Sequence, residues 1–295
     1  MQPHVRPWST VTRFELADGP AWFKVNGPGT AYEPGLLGVL SRLVPDLVPQ
    51  VLATDTSRGW SLTRDAGPTL RLAAPPEEQW PHWEQIMARY AEAQLLLAGH
   101  ATSLVDAGVT EVSPGTLPGQ TEALVADLAA VSPDEGGLSS RQVGELKRVL
   151  PELGAWCAEL AASGVPISIQ HDDLHSNNVC WAGSSADATR IIDWGDASLG
   201  HPFGTLLVTL NTLAAFAECP EDDARVLRVR DAYLEPFGSL ADRSTLVRYV
   251  ELARRTGCVA RALSWGAALQ GEPASVHAQW EFPVRGWLLE VLEAG

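Results

Sequence analysis

The sequence predicts an α+β chain in two lobes: a small β-rich N-terminal lobe over residues 1–64, a hinge at 65–68, and a larger, mainly helical C-terminal lobe over 69–295. Three observations predict it. Strand-like runs at 21–25 (Ala-Trp-Phe-Lys-Val) and 60–63 (Trp-Ser-Leu-Thr) fall within the first 64 residues. Long amphipathic stretches at helical spacing fill most of the chain after Pro68. They are interrupted at residues 165–169 by a β-branched run leading into an aspartate-rich turn. A chain of 295 residues with 45% hydrophobic content can bury cores for both lobes.

Taken in order, residues 21–25 form a strand carrying one lysine, Lys24. Residues 35–43 have the apolar spacing of a helix, with Pro34 in its first turn, where proline is tolerated, and Glu33 just before. Residues 60–63 form the next strand, and Arg64-Asp65-Ala66-Gly67-Pro68 reads as the hinge. Residues 80–99, with Trp83, Met87, Tyr90, Leu95 and Leu97 among polar residues, predict a long amphipathic helix. Residues 121–130 and 139–163 continue the pattern across a flexible loop at 132–137. Strands follow at 165–169 and 179–181, then a hairpin turn at 182–188 containing Gly183, Ser184 and Ser185, then a returning strand at 189–192. Further helices are expected at 203–217, 221–235, 242–270 and 284–293. The uncharged stretch 197–217 contains Gly200, His201, Pro202, Gly204, Thr209 and Asn211, so its continuous helical part after Gly204 is too short to span a bilayer and reads as a buried core helix.

The chemistry concentrates in two segments, His171-Asp172-Asp173-Leu174-His175-Ser176-Asn177-Asn178 and Ile191-Ile192-Asp193-Trp194. Asp173 precedes Asn178 by five residues, and the hairpin brings Asp193 beside them. Kinase-like phosphoryl-transfer enzymes use this arrangement: one Asp orients the attacking hydroxyl, while the Asn and the second Asp hold magnesium on the nucleotide phosphates. Aspartate and asparagine also populate turns and caps, but the complete set in a strand context favours chemistry. His171 and His175 each read either as participants or as structural histidines bonded to a backbone carbonyl.

His-Asp-Asp-Leu-His-Ser-Asn-Asn followed by Ile-Ile-Asp-Trp-Gly-Asp-Ala-Ser resembles the aminoglycoside phosphotransferase and choline kinase family, small-molecule kinases distantly related to protein kinases. The resemblance implies a protein-kinase-like fold, with Asp173 as catalytic base, His175 as a positioning residue in the catalytic loop, and Asn178 and Asp193 as magnesium ligands. The family pattern is H-G-D-L-H-x-x-N, then I-D-W or I-D-F; Asp172 stands here in place of the glycine. A later G-D-P-x-x-D-L pattern corresponds to Gly200-His201-Pro202-Phe203-Gly204-Thr205-Leu206, so both its aspartates are replaced and their work must be done differently.

Lys24 matches the strand lysine that reaches the α- and β-phosphates in such sites. The chain holds only one other lysine, Lys147, and otherwise uses arginine, so a retained ammonium suggests a specific demand. Glu33 is a candidate partner for Lys24, or an acid favoured by the helix N-terminal dipole alone. Trp8-Ser9-Thr10-Val11-Thr12 could cover the phosphates with N–H groups and the hydroxyls of Ser9 and Thr10, although it has no glycines. The hinge, with Arg64 and Asp65, would meet the base through its backbone, which leaves ATP and GTP undistinguished.

Charge divides unevenly, net +1 over residues 1–64 and net −16 over 65–295. A near-neutral lobe for a nucleotide and an acidic one for a cationic acceptor would fit this division, as would acid kept for solubility. Candidate acceptor-side carboxylates are Asp196, Glu218, Asp222, Asp223, Asp231 and Glu235. The acidic balance argues against nucleic acid as a partner, and the absence of an apolar span argues against membrane. Cysteines at 157, 180, 219 and 258 form no dense framework, and the first ten residues have no signal-peptide core, which together suggest the cytoplasm. The eleven tryptophans read mainly as core or lobe-interface residues, with stacking on a ring substrate as the alternative.

The expected activity is transfer of a nucleoside triphosphate's γ-phosphoryl group, with Mg2+, to a hydroxyl of an aminoglycoside, amino-sugar or amino alcohol. A metal-dependent phosphohydrolase with His171 and His175 as ligands is one alternative. A non-catalytic nucleotide-binding regulator of the same fold is another.

Overall fold

The computed structural model describes residues 4–181, 183 and 189–293. The expected hairpin turn at 182–188 lies outside the described residues, apart from Gly183. The N-terminal part comprises β1 (His4–Arg6), β2 (Ser9–Leu16), β3 (Gly19–Asn26), α1 (Glu33–Leu43), β4 (Val51–Asp55) and β5 (Trp60–Arg64). Its strands form one antiparallel sheet in the order β1-β2-β3-β5-β4. β3 is central, and its register sets Lys24 opposite Val11 of β2 and Ser61 of β5. The β2–β3 hairpin turns at Ala17-Asp18, and Gly19, which opens β3, adopts a φ of 118° that a side chain would strain. α1 buries Leu36, Leu37, Val39 and Leu40, the apolar stripe its spacing predicts, with Pro34 in its first turn.

Residues 65–68 carry no regular structure, at the position read as the hinge. Beyond them come α2 (Leu70–Ala73), α3 (Trp80–Ala98), α4 (Ala101–Asp106), β6 (Thr110–Glu111), α5 (Leu117–Ala129) and α6 (Ser140–Ala161). Next are β7 (Ser168–His171), β8 (Val179–Trp181), β9 (Thr189–Ile191) and β10 (Ala197–Gly200). The chain then runs through α7 (Leu206–Phe216), α8 (Ala224–Leu234), α9 (Arg243–Ala268), α10 (Ala274–Gln279) and α11 (Pro283–Glu293). α6 starts at a capping box in which Ser139 and Gln142 satisfy each other's backbone N–H groups. Asp223 and Asp242 cap α8 and α9.

α3 is tied to the small sheet β6-β10-β7 that supports the aspartate-rich loop. Its Gln94, fully buried, donates to the Ile169 carbonyl at 2.6 Å and accepts from Tyr233 Oη at 2.6 Å. Ser168 Oγ donates back to the Gln94 carbonyl at 2.6 Å. Beside this network Phe203 meets Tyr233 and Phe237 edge-on, with ring centroids 5.7 and 4.8 Å apart.

The structure corrects several element expectations. The strand expected at 165–169 begins at Ser168, because Pro166 has no N–H to contribute to a ladder; it pairs antiparallel with β10 through His171, opposite Ala197. Residues 197–200 form β10, and a 3-10 turn over Pro202–Thr205 takes the first turn of the helix expected at 203–217, leaving the buried α7 to begin at Leu206. The loop at 132–137 is a tight 3-10 turn rather than a loose linker, held by Arg285 Nη1 donating to the Pro133 carbonyl at 2.8 Å. α5 starts four residues before the expected 121, with Pro118 in its first turn.

Asp172, the first residue after β7, has a backbone outside the left-handed region, so glycine is not required there. Its side chain turns inward and accepts from Ser198 Oγ of β10 at 2.6 Å. Burial pushes this carboxyl up to about 7, against the lowering effect of the Ser198 bond. The folded state therefore keeps a proton that the unfolded chain releases near pH 4, so Asp172's contribution to stability is whole below that pH and is lost as pH rises towards 7. Asp172→Asn, which keeps an acceptor for Ser198, is expected to leave the melting temperature nearly unchanged at about pH 4 and to raise it at about pH 8, by up to about 4 kcal/mol in stability. Thermal melts of both proteins at the two pH values check this.

Candidate active site

The loop from His171 to Asn178 joins β7 to β8, and the surrounding elements hold its backbone at several points. Tyr90 Oη of α3 accepts from His171 N at 2.9 Å, and Thr205 Oγ1 donates to the His171 carbonyl at 2.9 Å. Thr209 Oγ1 of α7 donates to the carbonyl of the fully buried Leu174 at 2.9 Å. Arg71 N of α2 donates to the Ser176 carbonyl at 3.0 Å. Such anchoring is what a loop needs to present side chains in fixed directions.

Asp173 receives three of the site's donors. Arg261 Nη2 meets its Oδ1 at 2.6 Å, while His175 Nε2 and Asn178 Nδ2 each lie 3.3 Å from its Oδ2. Asn178 Nδ2 also donates to the Asp173 carbonyl at 2.9 Å, which commits the amide nitrogen to this loop. Burial pushes the Asp173 carboxyl up, but Arg261 and then His175 more than offset it, holding it well below the usual carboxylate range.

His171 is completely buried and both its ring nitrogens are engaged. Nε2 donates to the Ile192 carbonyl at 2.9 Å, and Nδ1 accepts from Asp173 N at 3.3 Å. Burial lowers its pKa, consistent with a neutral ring in this tautomer. The structural alternative thus describes His171, and no ring nitrogen is left to bind a metal. His175 differs: Nδ1 accepts from Asn177 N at 3.2 Å, and Nε2 faces Asp173.

Lys24, Glu33 and Asp193 form the second group. Lys24 Nζ bonds to Glu33 Oε2 at 2.6 Å and to Asp193 Oδ1. Burial lowers the lysine's pKa, and Asp193 and Glu33 together raise it beyond its ordinary value, so the ammonium stays charged. Glu33 is both the first residue of α1 and an ion-pair partner, and its Oε1 accepts from Trp194 N at 2.9 Å. Asp193 sits in the left-handed region at φ 64° and ψ 55°, a conformation aspartate tolerates better than most residues. Ile192 N donating to the Asn178 carbonyl at 2.9 Å brings Asp193 beside the catalytic loop. Tyr32 Oη, reaching the carbonyls of Gly195 and Ala197 at 2.7 Å each, fixes the segment that follows.

Other expected residues stand apart from this cluster. Ser9 and Thr10 lie in β2, paired with Asn26 and Val25, while the β1–β2 turn itself is Pro7-Trp8. Trp8 packs against Trp265 of α9 and Trp280, with ring centroids 5.3 and 4.9 Å away, which makes these three tryptophans a contact between the sheet and the C-terminal helices. Arg64 pairs with Asp18 at 2.6 Å, and Asp65 pairs with Arg13 at 3.2 Å and accepts from Gly67 N at 2.8 Å. Their side chains tie residues 64–67 to the β2–β3 hairpin.

The residues at the two replaced positions both bond to backbone. His201 Nδ1 accepts from Phe203 N at 3.4 Å at the start of the 3-10 turn, and Thr205 Oγ1 makes the bond to the His171 carbonyl described above. Burial depresses the His201 pKa to about 3, leaving a neutral ring fit to accept. Of the six acidic candidates, only Asp196 joins the cluster, 3.4 Å from Arg261 Nη1 and accepting from Ser264 Oγ at 2.8 Å. Asp223 pairs with Arg225, Asp231 with Arg230 and Arg243, and Glu218, Asp222 and Glu235 are exposed. Arg261 was not anticipated from sequence. Its one signal is that it is the sole charge in the run from Thr256 to Leu269.

Comparison with known proteins follows this geometry. No curated protein sequence matches the chain. Among solved structures, an ethanolamine kinase from Plasmodium vivax superposes with a TM-score of 0.62 at 13% identity, covering 99% of this chain and 80% of its own. A macrolide 2'-phosphotransferase from Brachybacterium faecium gives 0.56 at 16% identity, covering 92% of both. An aminoglycoside phosphotransferase from Streptomyces rimosus gives 0.52 at 22% identity, covering 86% of this chain and 91% of its own. These likenesses establish the mixed α+β fold common to such kinases. The sequence profile of the phosphotransferase enzyme family matches residues 33–243, most of the chain, and the chain belongs to that family.

Proposed function

We propose that this phosphotransferase moves the γ-phosphoryl group of ATP or GTP to a hydroxyl of a small molecule, an aminoglycoside, amino-sugar or amino alcohol. The observation that carries the reading is the convergence of Lys24, Asp173, Asn178 and Asp193 on adjoining strands and loops, although Lys24 and Asp193 are 169 residues apart in sequence. Asp173 is the group for the acceptor hydroxyl, orienting it and taking its proton. Lys24 holds the α- and β-phosphates, with Glu33 keeping the ammonium forward. His175 steadies Asp173 through Oδ2. The N-terminal sheet and the helical part serve as the two lobes of a kinase, the nucleotide lying between them.

The donor set fits magnesium. The amide oxygen of Asn178, whose nitrogen is committed to the loop, and the second carboxylate oxygen of Asp193, whose side chain is 38% exposed, are hard oxygens of the kind that ion takes beside phosphates. When bound, its chemistry is neutralisation of charge on the phosphate oxygens. The phosphohydrolase alternative loses its first ligand, since both nitrogens of His171 are engaged. The Streptomyces rimosus relative has been solved with ADP and streptomycin, and other relatives are named for ethanolamine and macrolides, so the acceptor is sought among small hydroxyl compounds. An amine on the acceptor would meet Asp196 rather than a broad acidic wall. No helix among the described residues is long and apolar enough to cross a membrane, and free thiols at Cys157, Cys180, Cys219 and Cys258 fit the cytoplasm proposed for the enzyme.

Two outcomes test these roles. Asp173→Asn is expected to lower turnover by on the order of 10²–10⁴ while Mg-nucleotide affinity stays within a few-fold. Asp193→Ala is expected to weaken Mg-nucleotide binding itself. Calorimetric titration with a non-hydrolysable nucleotide, beside steady-state kinetics, reads both, and equal loss of binding in the two variants would contradict the division of labour.

Lys24 has a structural consequence as well. Removing it leaves Glu33, whose side chain is 3% exposed, without its cation, a loss on the order of 3–5 kcal/mol. Lys24→Ala should therefore both slow transfer, by roughly 100-fold or more, and lower the melting temperature. Adding Glu33→Gln should restore much of the melting temperature and none of the rate. Recovery of both together would show that Lys24 serves the fold alone.

A further inference from the structure

The side chain of Arg261 is 6% exposed, and its guanidinium sits inside the site from the middle of α9, 88 residues from Asp173 in sequence. A buried cation costs free energy unless carboxylates compensate it. Here Nη2 bonds to Asp173 Oδ1 at 2.6 Å, Nη1 lies 3.4 Å from Asp196 Oδ2, and the Trp265 ring one turn later is 5.5 Å from the guanidinium carbon. Yet Nε and Nη1 have no hydrogen-bond partner. An arginine retained only to lace helices together would use more of its five donors. This one makes a single well-formed bond, and that bond goes to the carboxylate proposed as the base.

We propose that Arg261 is a positioning residue for phosphoryl transfer. The inference rests on the reading of Asp173 as base. By occupying Oδ1 with the shortest bond to this carboxylate, Arg261 fixes it so that Oδ2, which meets His175 and Asn178 only at 3.3 Å, is the oxygen presented to the acceptor. Its charge also allows Asp173, Asp193 and Asp196 to share one site with the nucleotide's phosphates. In the step it supports, the hydroxyl proton passes to Asp173 Oδ2 and the hydroxyl oxygen bonds to the γ-phosphorus. The bond from phosphorus to the β,γ-bridging oxygen breaks, and its electron pair leaves on the nucleoside diphosphate. Arg261 touches neither phosphorus nor hydroxyl; it acts through Asp173.

The test uses the full chain and Mg-ATP, with slow transfer to water read as ADP release, so no acceptor need be known. Arg261→Gln is expected to lower kcat by on the order of 100-fold, with the KM for ATP within about threefold, because misdirecting a reacting group costs rate rather than nucleotide binding. Arg261→Lys keeps the charge without the fork and should recover part of the lost rate. Melting temperatures of Asp173→Asn, Arg261→Gln and the double variant read the pair with no turnover at all. The double variant is expected to melt well above the sum of the single losses. A parental kcat in Arg261→Gln, a rise in KM for ATP matching the loss of kcat, no recovery in Arg261→Lys, or strictly additive melting losses would each overturn the proposal. If Asp173→Asn releases ADP at the parental rate, it is the reading of the base that fails, a result distinct from the failure of Arg261.

Discussion

The ion-paired group of Lys24, Glu33 and Asp193 is the interaction on which the rest of the structure depends. It joins three elements at one point: the central strand of the sheet, the first turn of α1, and the segment after β9. A lysine with 13% of its side chain exposed is stable there only because two carboxylates face it, and Glu33 is stable only because the lysine and Trp194 N do. Each member is thus held by the others. The left-handed backbone at Asp193 belongs to the same constraint, since that conformation lets the carboxylate face Lys24 while Trp194 N turns to Glu33.

The second group, around Asp173, is built on a different principle. Its loop is anchored from beneath by Tyr90, Thr205 and Thr209, and its functional carboxylate is held from the side by Arg261. The two groups meet where Ile192 N bonds to the Asn178 carbonyl and His171 Nε2 bonds to the Ile192 carbonyl. This junction explains why a buried, neutral histidine stands at the start of the loop. With both ring nitrogens engaged, it ties Asp173 N to the Ile192 carbonyl and so holds the Asp173 and Asp193 segments together. With His201 and Thr205 at these positions the support differs in kind: the neutral imidazole accepts from Phe203 N, as a carboxylate could, while the Thr205 hydroxyl donates to the His171 carbonyl, which a carboxylate could not do.

Much of this was legible in the sequence where the chemistry is local. Asp173 and Asn178 share one loop, Asp193 follows one strand, and Lys24 stands out as a rare lysine in a strand, so spacing alone pointed to them. The long helices were legible through their periodicity, and the ends of α1, α3, α6 and α9 fell within two residues of expectation. What was not legible depends on tertiary contact. Arg261 belongs to the site only because α9 crosses behind the loop, and in sequence it is one arginine among many. Ser9 and Thr10 looked like turn hydroxyls because β1, three residues long, gives little sign that the turn is Pro7-Trp8. The strand at 168–171 was misplaced by three residues because β-branched composition does not reveal the missing N–H of Pro166 as a boundary.

The central claim is that these two groups act together to phosphorylate a small molecule's hydroxyl. The most direct measurement is phosphorus NMR of the full chain incubated with Mg-ATP and a panel of aminoglycosides, amino-sugars, amino alcohols and neutral sugars. The account predicts a new phosphomonoester resonance with at least one acceptor, growing as ATP is converted to ADP. Conversion of ATP only to ADP and inorganic phosphate with every acceptor, or no conversion at all, would contradict it.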